Sequence, residues 1–391
     1  MKHRPFRFAL AAAAAALAFG QGESPITREG NSWVQTFTGS IDANHSGRLR
    51  IITEGNLIVK GAPGNKVSYS VKLRVKARSE QQAQALLRSF VARNSSSADW
   101  YYLTLLPPHG VTEGPDVSVT VPRSLRQTWI ETHGGSVQSS DLDGELRAES
   151  AGGSIDIDRI QADASARTAG GEIHIGRVGG SLRCYSGAGR ISADSVGGES
   201  WFDTAGGDIS IREARGAVHA STAGGNVRVV RCGGTVFART AGGLIEVQQS
   251  AGSVTAESSG GAIQVNAAQG VRCESAAGAI RLRNVAGSMR ANTAAGSILA
   301  ELLSGNHIED STLSTSAGDI TVFIASNIPL TVSARNESTG SLGRIISDFP
   351  EIHLKPVAGG AVAMAEGALN GGGPVLRIYV TGGTIYLRRQ K

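Results

Sequence analysis

From Thr132 to Val322 the chain alternates apolar and polar positions in short runs, and the runs return with a period marked by Gly135, Gly153, Gly171, Gly189, Gly207, Gly225, Gly243, Gly261, Gly278, Gly296 and Gly318. Seven successive intervals are 18 residues long, followed by intervals of 17, 18 and 22, the last stretched by an insertion around Gly305 to Asp310. A period of this size is that of one turn of a solenoid. Two residues after each glycine stands Val137, Ile155, Ile173, Ile191, Ile209, Val227, Ile245, Ile263, Ile280, Ile298 or Ile320, and the position two further on is mostly Ile, Val or Leu. Ser, Asp, His, Arg, Glu and Gln fill the places between them. Period two predicts a β-strand with one dry face and excludes a helix.

The second half of each repeat predicts another strand. Leu146, Leu182, Val218, Val236, Val254 and Val271 form a large inward column, and Ala148, Ala166, Cys184, Ala220, Ala238, Ala256, Cys273 and Ala291 a narrower one. One repeat inverts the sizes, with Ser200 in the large column and Phe202 in the small one, a volume-conserving exchange that packed interiors tolerate. A second corner comes nine residues past most anchors, at Gly144, Gly180, Gly198, Gly216, Gly234, Gly252, Gly270, Gly287 and Gly305. Two strands and two corners make a flattened coil.

Three residues before every anchor stands a hydroxyl: Thr132, Ser150, Thr168, Ser186, Thr204, Thr222, Thr240, Ser258, Ser275, Thr293 and Thr315. Parity turns this column inward, where a hydroxyl can bond the corner backbone or the neighbouring coil. The competing interpretation, an ice-binding threonine array, requires flat outward rows.

The flanks differ in texture. Residues 23–131 carry strand-like runs at Trp33 to Phe37, Leu49 to Lys60, Val67 to Val75, Trp100 to Leu106 and Val117 to Val121. One helix is predicted among them, opened by a capping box from Ser79 to Gln82, with Ala83, Leu86, Leu87 and Phe90 on one face. After Gly318 the repeat loosens into the turn SDFP, an Ala/Gly-rich excursion between Pro356 and Gly373, and a final strand pair ending GGTIYLRR; Pro350, Pro356 and Pro374 remove ladder donors there. The expected fold is all-β: a single-chain β-solenoid of about 18-residue two-strand coils over 132–325, a small α+β N-terminal cap over 23–131, and an irregular β C-terminal cap over 326–391.

Residues 1–20 combine a basic start (Lys2, Arg4, Arg7), an apolar run from Phe8 to Phe19 and small residues at Ala16, Ala18 and Gly20, which together predict a secretory signal. The run is too short for a membrane span, and no Cys precedes Cys184 to carry a lipid anchor. The mature chain is therefore expected to be exported, to the periplasm or beyond the cell, with no transmembrane segment. Removing the segment takes three bases and no acid, so the formal net charge of +5 falls to +2. With no Lys/Arg cluster interleaved with aromatics, nucleic acid is not an expected partner. Cys184 and Cys273 share a column about 24 Å apart at 4.8 Å per coil, and Cys232 lies in another; a disulfide needs Cα atoms within about 7 Å. All three read as buried small hydrophobes.

The segments GRLRIITEGNLIVKG, VSVTVPRSLRQTWIETHGGSV, GRIISDFP and LNGGGPVLRIYVTGGTIYL, with the repeats between them, resemble the bacterial putative-adhesin domain family of unknown function. The resemblance covers most of the mature chain. It implies an exported β-solenoid of the cell envelope and supplies no catalytic residues.

Polysaccharide-cleaving β-solenoids gather carboxylates on one face of adjacent coils. Asp156 and Asp158 are the nearest thing to a pair, but the next repeat offers His174 and Gly176, so they read as solvated surface. His109 and His133 fall near loops, and no zinc spacing, phosphate loop or Ser/His/Asp order is present, so no cofactor is expected. The expectation is a non-enzymatic envelope protein that binds or scaffolds an envelope protein or a glycan; a glycan-active enzyme and an envelope-stress accessory are the alternatives. One outward column is distinctive. Six residues before the anchors it carries Arg183, Trp201, His219 and Phe237 in successive repeats, with Tyr185 two positions along. At about 4.8 Å between coils these side chains should stack into an exposed strip able to receive a sugar or a partner's apolar side chains, or simply to steady the sheet.

The parity assignment is testable. Replacing Ile209 by Asp puts an unpaired charge in a dry interior and should unfold the array; an unchanged melting temperature would show that Ile209 faces solvent.

Overall fold

The structure, a computed structural model, describes residues 22–43, 47–107, 114–305, 307–337, 344–356 and 363–390. The expected signal at 1–20, His109 and residues 357–362 of the Ala/Gly-rich excursion lie outside the described residues. The chain is mostly β with one short helix, Glu80–Leu87, and it forms a long parallel sheet of regularly spaced strands, as a β-solenoid does. No helix among the described residues is long and apolar enough to cross a membrane.

Register carries the architecture. Thr128 pairs with Leu146, Leu146 with Ala164, Ala164 with Leu182, and Leu182 with Ser200, all parallel. A second row runs through Ile155, Ile173, Ile191, Ile209 and Val227 in the same way. The inward side chains of both rows belong to one continuous buried core. Ser200 and Phe202 are both fully buried, as the size inversion requires, and the Ser200 hydroxyl donates to the Ala217 carbonyl oxygen at 3.3 Å. Where the repeat shortens, the register shifts between Gln269 and Val271, and Gly270 takes a left-handed φ of 103°.

The hydroxyl column faces inward, so the outward array that ice binding needs is absent from it, and most of its hydroxyls work as bridges between neighbouring turns. Thr204 Oγ1 donates to the Gly189 carbonyl oxygen at 3.0 Å and accepts the Gly207 amide at 3.3 Å. The same two bonds recur at Ser150, Thr168, Ser186, Thr222, Thr240 and Ser275. One small side chain thus satisfies a corner amide and the carbonyl stacked against it, both of which the tight corner withdraws from the strand ladder.

That stacking explains the glycine. A Cβ on Gly207 would meet the Gly189 carbonyl oxygen at 2.2 Å and its carbon at 2.4 Å, whereas one on Gly206 would find its nearest neighbour at 3.8 Å. The constraint is close backbone approach and not a left-handed φ. The chain agrees: Ala188, Ala277, Ala295 and Ala317 stand in the place of Gly206, and no repeat puts alanine at the anchor.

The parallel pairing reaches back before Thr132. Arg48–Thr53 lies between Gln127–Thr132 and Trp100–Leu106, and Asn56–Ala62 between Val137–Leu142 and Asp116–Pro122. The run expected from Leu49 to Lys60 is therefore two strands turning at Gly55, whose carbonyl receives the Thr132 hydroxyl at 2.8 Å. Lys66–Val75 and Ser32–Asp42 extend this end in antiparallel fashion. The helix caps as expected, with Ser79 Oγ accepting the Gln82 amide at 3.3 Å; Ala83 and Leu87 are buried.

At the other end the last strand pair is not outermost. Val375–Gly382 inserts between Ser311–Ala317 and Leu330–Asn336, and Thr384–Arg389 between Ile320–Ile324 and Arg344–Ser347. The antiparallel strand Ala363–Leu369 lies beyond Leu330–Asn336 and carries His353–Pro356 on its far edge.

Cys184, Cys232 and Cys273 are free and buried. Burial pushes the Cys184 and Cys232 thiols up, and that of Cys273 to about 12, so all three are unreactive as thiolates.

Gly207→Ala should cost about 1–3 kcal/mol, because the overlap is with backbone, while Gly206→Ala should stay within about 0.5 kcal/mol. Urea unfolding midpoints of the two variants measure the difference, and equal midpoints would dispose of the close-approach argument.

Candidate functional site

The five-residue strands Leu182–Ser186, Ser200–Thr204, Val218–Thr222 and Val236–Thr240 each bury alternate residues, which leaves their second and fourth positions outward. Parallel register aligns the second positions: Arg183 with Trp201, Trp201 with His219, and His219 with Phe237. The side chains stack. The Arg183 guanidinium lies 4.7 Å from the Trp201 ring centroid, the Trp201 and His219 rings are 5.4 Å apart at 9°, and His219 and Phe237 are 4.8 Å apart at 8°. Glu199 Oε1 lies 3.0 Å from His219 Nε2 and fixes the imidazole in the stack. Phe202 stays inside and Trp201 outside.

Stacking has a chemical consequence. Trp201 has Arg183 on one face and His219 on the other, so it presents only its edges, while Phe237 ends the stack and is 43% exposed. Tyr185 belongs to the neighbouring column, between Arg167 and Asp203, with the Arg167 guanidinium 4.6 Å from its centroid.

The same outward column continues toward the amino end with residues the linear reading missed. Trp129 is held between Arg50 at 4.1 Å and Arg147 at 4.5 Å. Trp129 stands six residues before Gly135, so column arithmetic carried one repeat further would have found it. Arg50 could not be found that way, because residues 51–128 separate it from Trp129 in the chain. Arginines and aromatics do interleave on this face, but at the spacing of the repeat and not along the sequence.

Between the two stacks the column is interrupted by Ser165, which pairs with Arg147 on one side and Arg183 on the other. Over it lies an open groove of about 520 Å³, whose lining includes Arg147, Arg167, Arg183, Tyr185, Trp201 and Asp203. Arg147 is committed to Glu149, with Nε at 2.8 Å and Nη2 at 2.6 Å from Oε1. Arg50 is similarly held by Glu131. Among the described residues, neither Arg167 nor Arg183 has a carboxylate within 4.0 Å. Partial desolvation pushes the Asp203 carboxyl up, against the opposing pull of His219.

The acids of the other row are engaged differently. Arg159 bonds Asp141 at 2.6 and 2.9 Å and also binds Asp158, holding the Asp141 carboxyl down at about 2. Asp158 also accepts the Arg177 amide at 3.1 Å. Asp156 is exposed and pairs in register with Gln138 and His174, neither of them an acid. His133 is exposed, 4.0 Å from Glu54. Among the described residues no three His, Cys, Asp or Glu side chains gather as a metal site would require.

No family model matches the chain, and no curated protein does. Several solved structures are similar. A putative adhesin from Bacteroides fragilis shares 14% identity over 68% of this chain and 96% of its own, with a TM-score of 0.30. A putative cell adhesion protein from Clostridium sporogenes shares 8% identity over 95% of this chain and 100% of its own, with a TM-score of 0.17. A putative lipid binding protein from Parabacteroides distasonis shares 12% identity over 73% of this chain and 96% of its own, with a TM-score of 0.26. The chain is thus similar to structures described as a putative adhesin and a putative cell adhesion protein.

Proposed function

We propose that the chain is an exported, non-enzymatic protein of the cell envelope that presents a rigid β-solenoid for binding or scaffolding, as an adhesin does. In this reading residues 1–20 are the export signal, coils of about 18 residues with two strands each form the rod, and the segments 23–131 and 326–391 close its ends. Its partner is an envelope protein or a glycan, and no cofactor takes part. The destination is the periplasm or the exterior of the cell.

The observation that carries the reading is the ladder Arg183, Trp201, His219 and Phe237, fixed in register on four strands that are each bonded on both sides. Exposed stacks of this kind hold a surface in one shape and spare a ligand the entropy of ordering it. The arginine partners of Asp141 and Asp158 support a binding role over hydrolysis, since a carboxylate held by guanidinium is a poor general acid.

The double variant Trp201→Ala/Phe237→Ala removes two rungs worth about 0.2–1 kcal/mol per pair, so the fold should survive. Retention of envelope glycan or protein on the immobilised variant should fall well below that on the parent. Equal retention, with matching circular dichroism, would reduce the strip to sheet packing.

A further inference from the structure

We propose that the groove over Ser165 binds an acidic saccharide, a glycan chain carrying hexuronate residues. The inference rests on the reading that this face of the sheet is a binding surface, and it names the ligand class and the residues that take it.

The argument starts from the gap in the column. Arg50, Trp129 and Arg147 form one stack and Arg183, Trp201, His219 and Phe237 the next, and the short side chain of Ser165 separates them. Two strand spacings put Arg147 and Arg183 about 9.6 Å apart, room for one ring with the spacing that the rest of the column already keeps. The gap is polar at its floor, where Ser165 offers a hydroxyl.

Charge selects the occupant. Stacking on an aromatic ring uses the π surface of a guanidinium and leaves its in-plane N–H donors unspent. Arg167 lies over Tyr185 and Arg183 over Trp201, and among the described residues no carboxylate reaches either. Two fixed guanidinium groups with unspent donors at one groove match a carboxylate, which such donors bind in paired, charge-assisted fashion. The groove also contains acceptors: Asp203 at its far rim and Glu149 beside Arg147. An acidic peptide, with a charge on every residue, would meet repulsion there. A uronate carries one charge on a ring otherwise covered by hydroxyls, and those hydroxyls donate to Asp203 and Glu149 while the carboxylate accepts from Arg167 and Arg183.

The experiment is calorimetric titration of the mature chain with a galacturonate trisaccharide, its neutral methyl ester, polyglutamate and a short single-stranded oligonucleotide. Saturable binding is expected for the trisaccharide, and loss by about tenfold or more is expected on esterification and in Arg183→Gln. Ser165→Phe keeps every charge and fills the gap, so it should abolish binding without lowering the melting temperature. Arg212→Gln, on the other row of strands and paired with Asp194, should bind like the parent. Equal binding of the ester, stronger binding of polyglutamate or the oligonucleotide, or full binding by Ser165→Phe would each overturn the proposal. Failure of the trisaccharide alongside continued capture of envelope material by the parent would overturn this inference and leave the broader binding role standing.

Discussion

The structure depends on one contact, repeated along the rod: the backbone of an anchor glycine resting on the backbone of the anchor glycine one turn away. At Gly207 the approach to Gly189 leaves no room for a Cβ. Backbone that close has polar groups facing one another with no space for water, and the Thr204 hydroxyl resolves this by accepting one amide and donating to one carbonyl. Glycine and hydroxyl are therefore a single device. Either without the other leaves a steric overlap or an unpaired polar group, the second costing about 1–3 kcal/mol where buried.

A stack of identical rows has a weakness at each end, where an unpaired strand edge invites another chain. This chain answers by leaving sequence order. At the amino end the later pair of strands, Trp100–Leu106 and Asp116–Pro122, lies outside the earlier pair, and at the carboxyl end the later pair, Val375–Gly382 and Thr384–Arg389, lies inside the earlier one. In both cases a strand pair is clamped on two sides by segments distant in sequence. Opening an end then requires breaking two ladders and not one, and in one row the carboxyl-terminal edge falls to the short antiparallel strand His353–Pro356.

What could be read from the sequence follows the same division. Inside the repeat, period two and period eighteen fix parity and column, so the buried isoleucines, the inward hydroxyls, the inversion at Ser200 and Phe202, and the stacking of Trp201 on His219 were all legible. The interleaved ends were not, because a strand such as Arg48–Thr53 finds its neighbours only after an excursion through the strands and helix that follow it. Nor was the Ser165 gap legible as a site. A serine in an outward column is unremarkable until register shows a guanidinium on each side of it and the ion-pair pattern shows which arginines are already spent.

Periodicity itself sets where recognition can occur on such a surface. A perfect column of aromatic and cationic side chains satisfies itself, since each ring and guanidinium lies against the next and the faces that would meet a ligand are consumed; Trp201 is in this position. Faces open to solvent return where the column stops or skips. Phe237 is one such place, an end with an exposed ring, and Ser165 is the other, an interior gap flanked by charge. The regular rows supply stiffness, and departures from regularity supply chemistry. On a repeat scaffold the residues to examine for function are therefore those that break their column on an otherwise filled face.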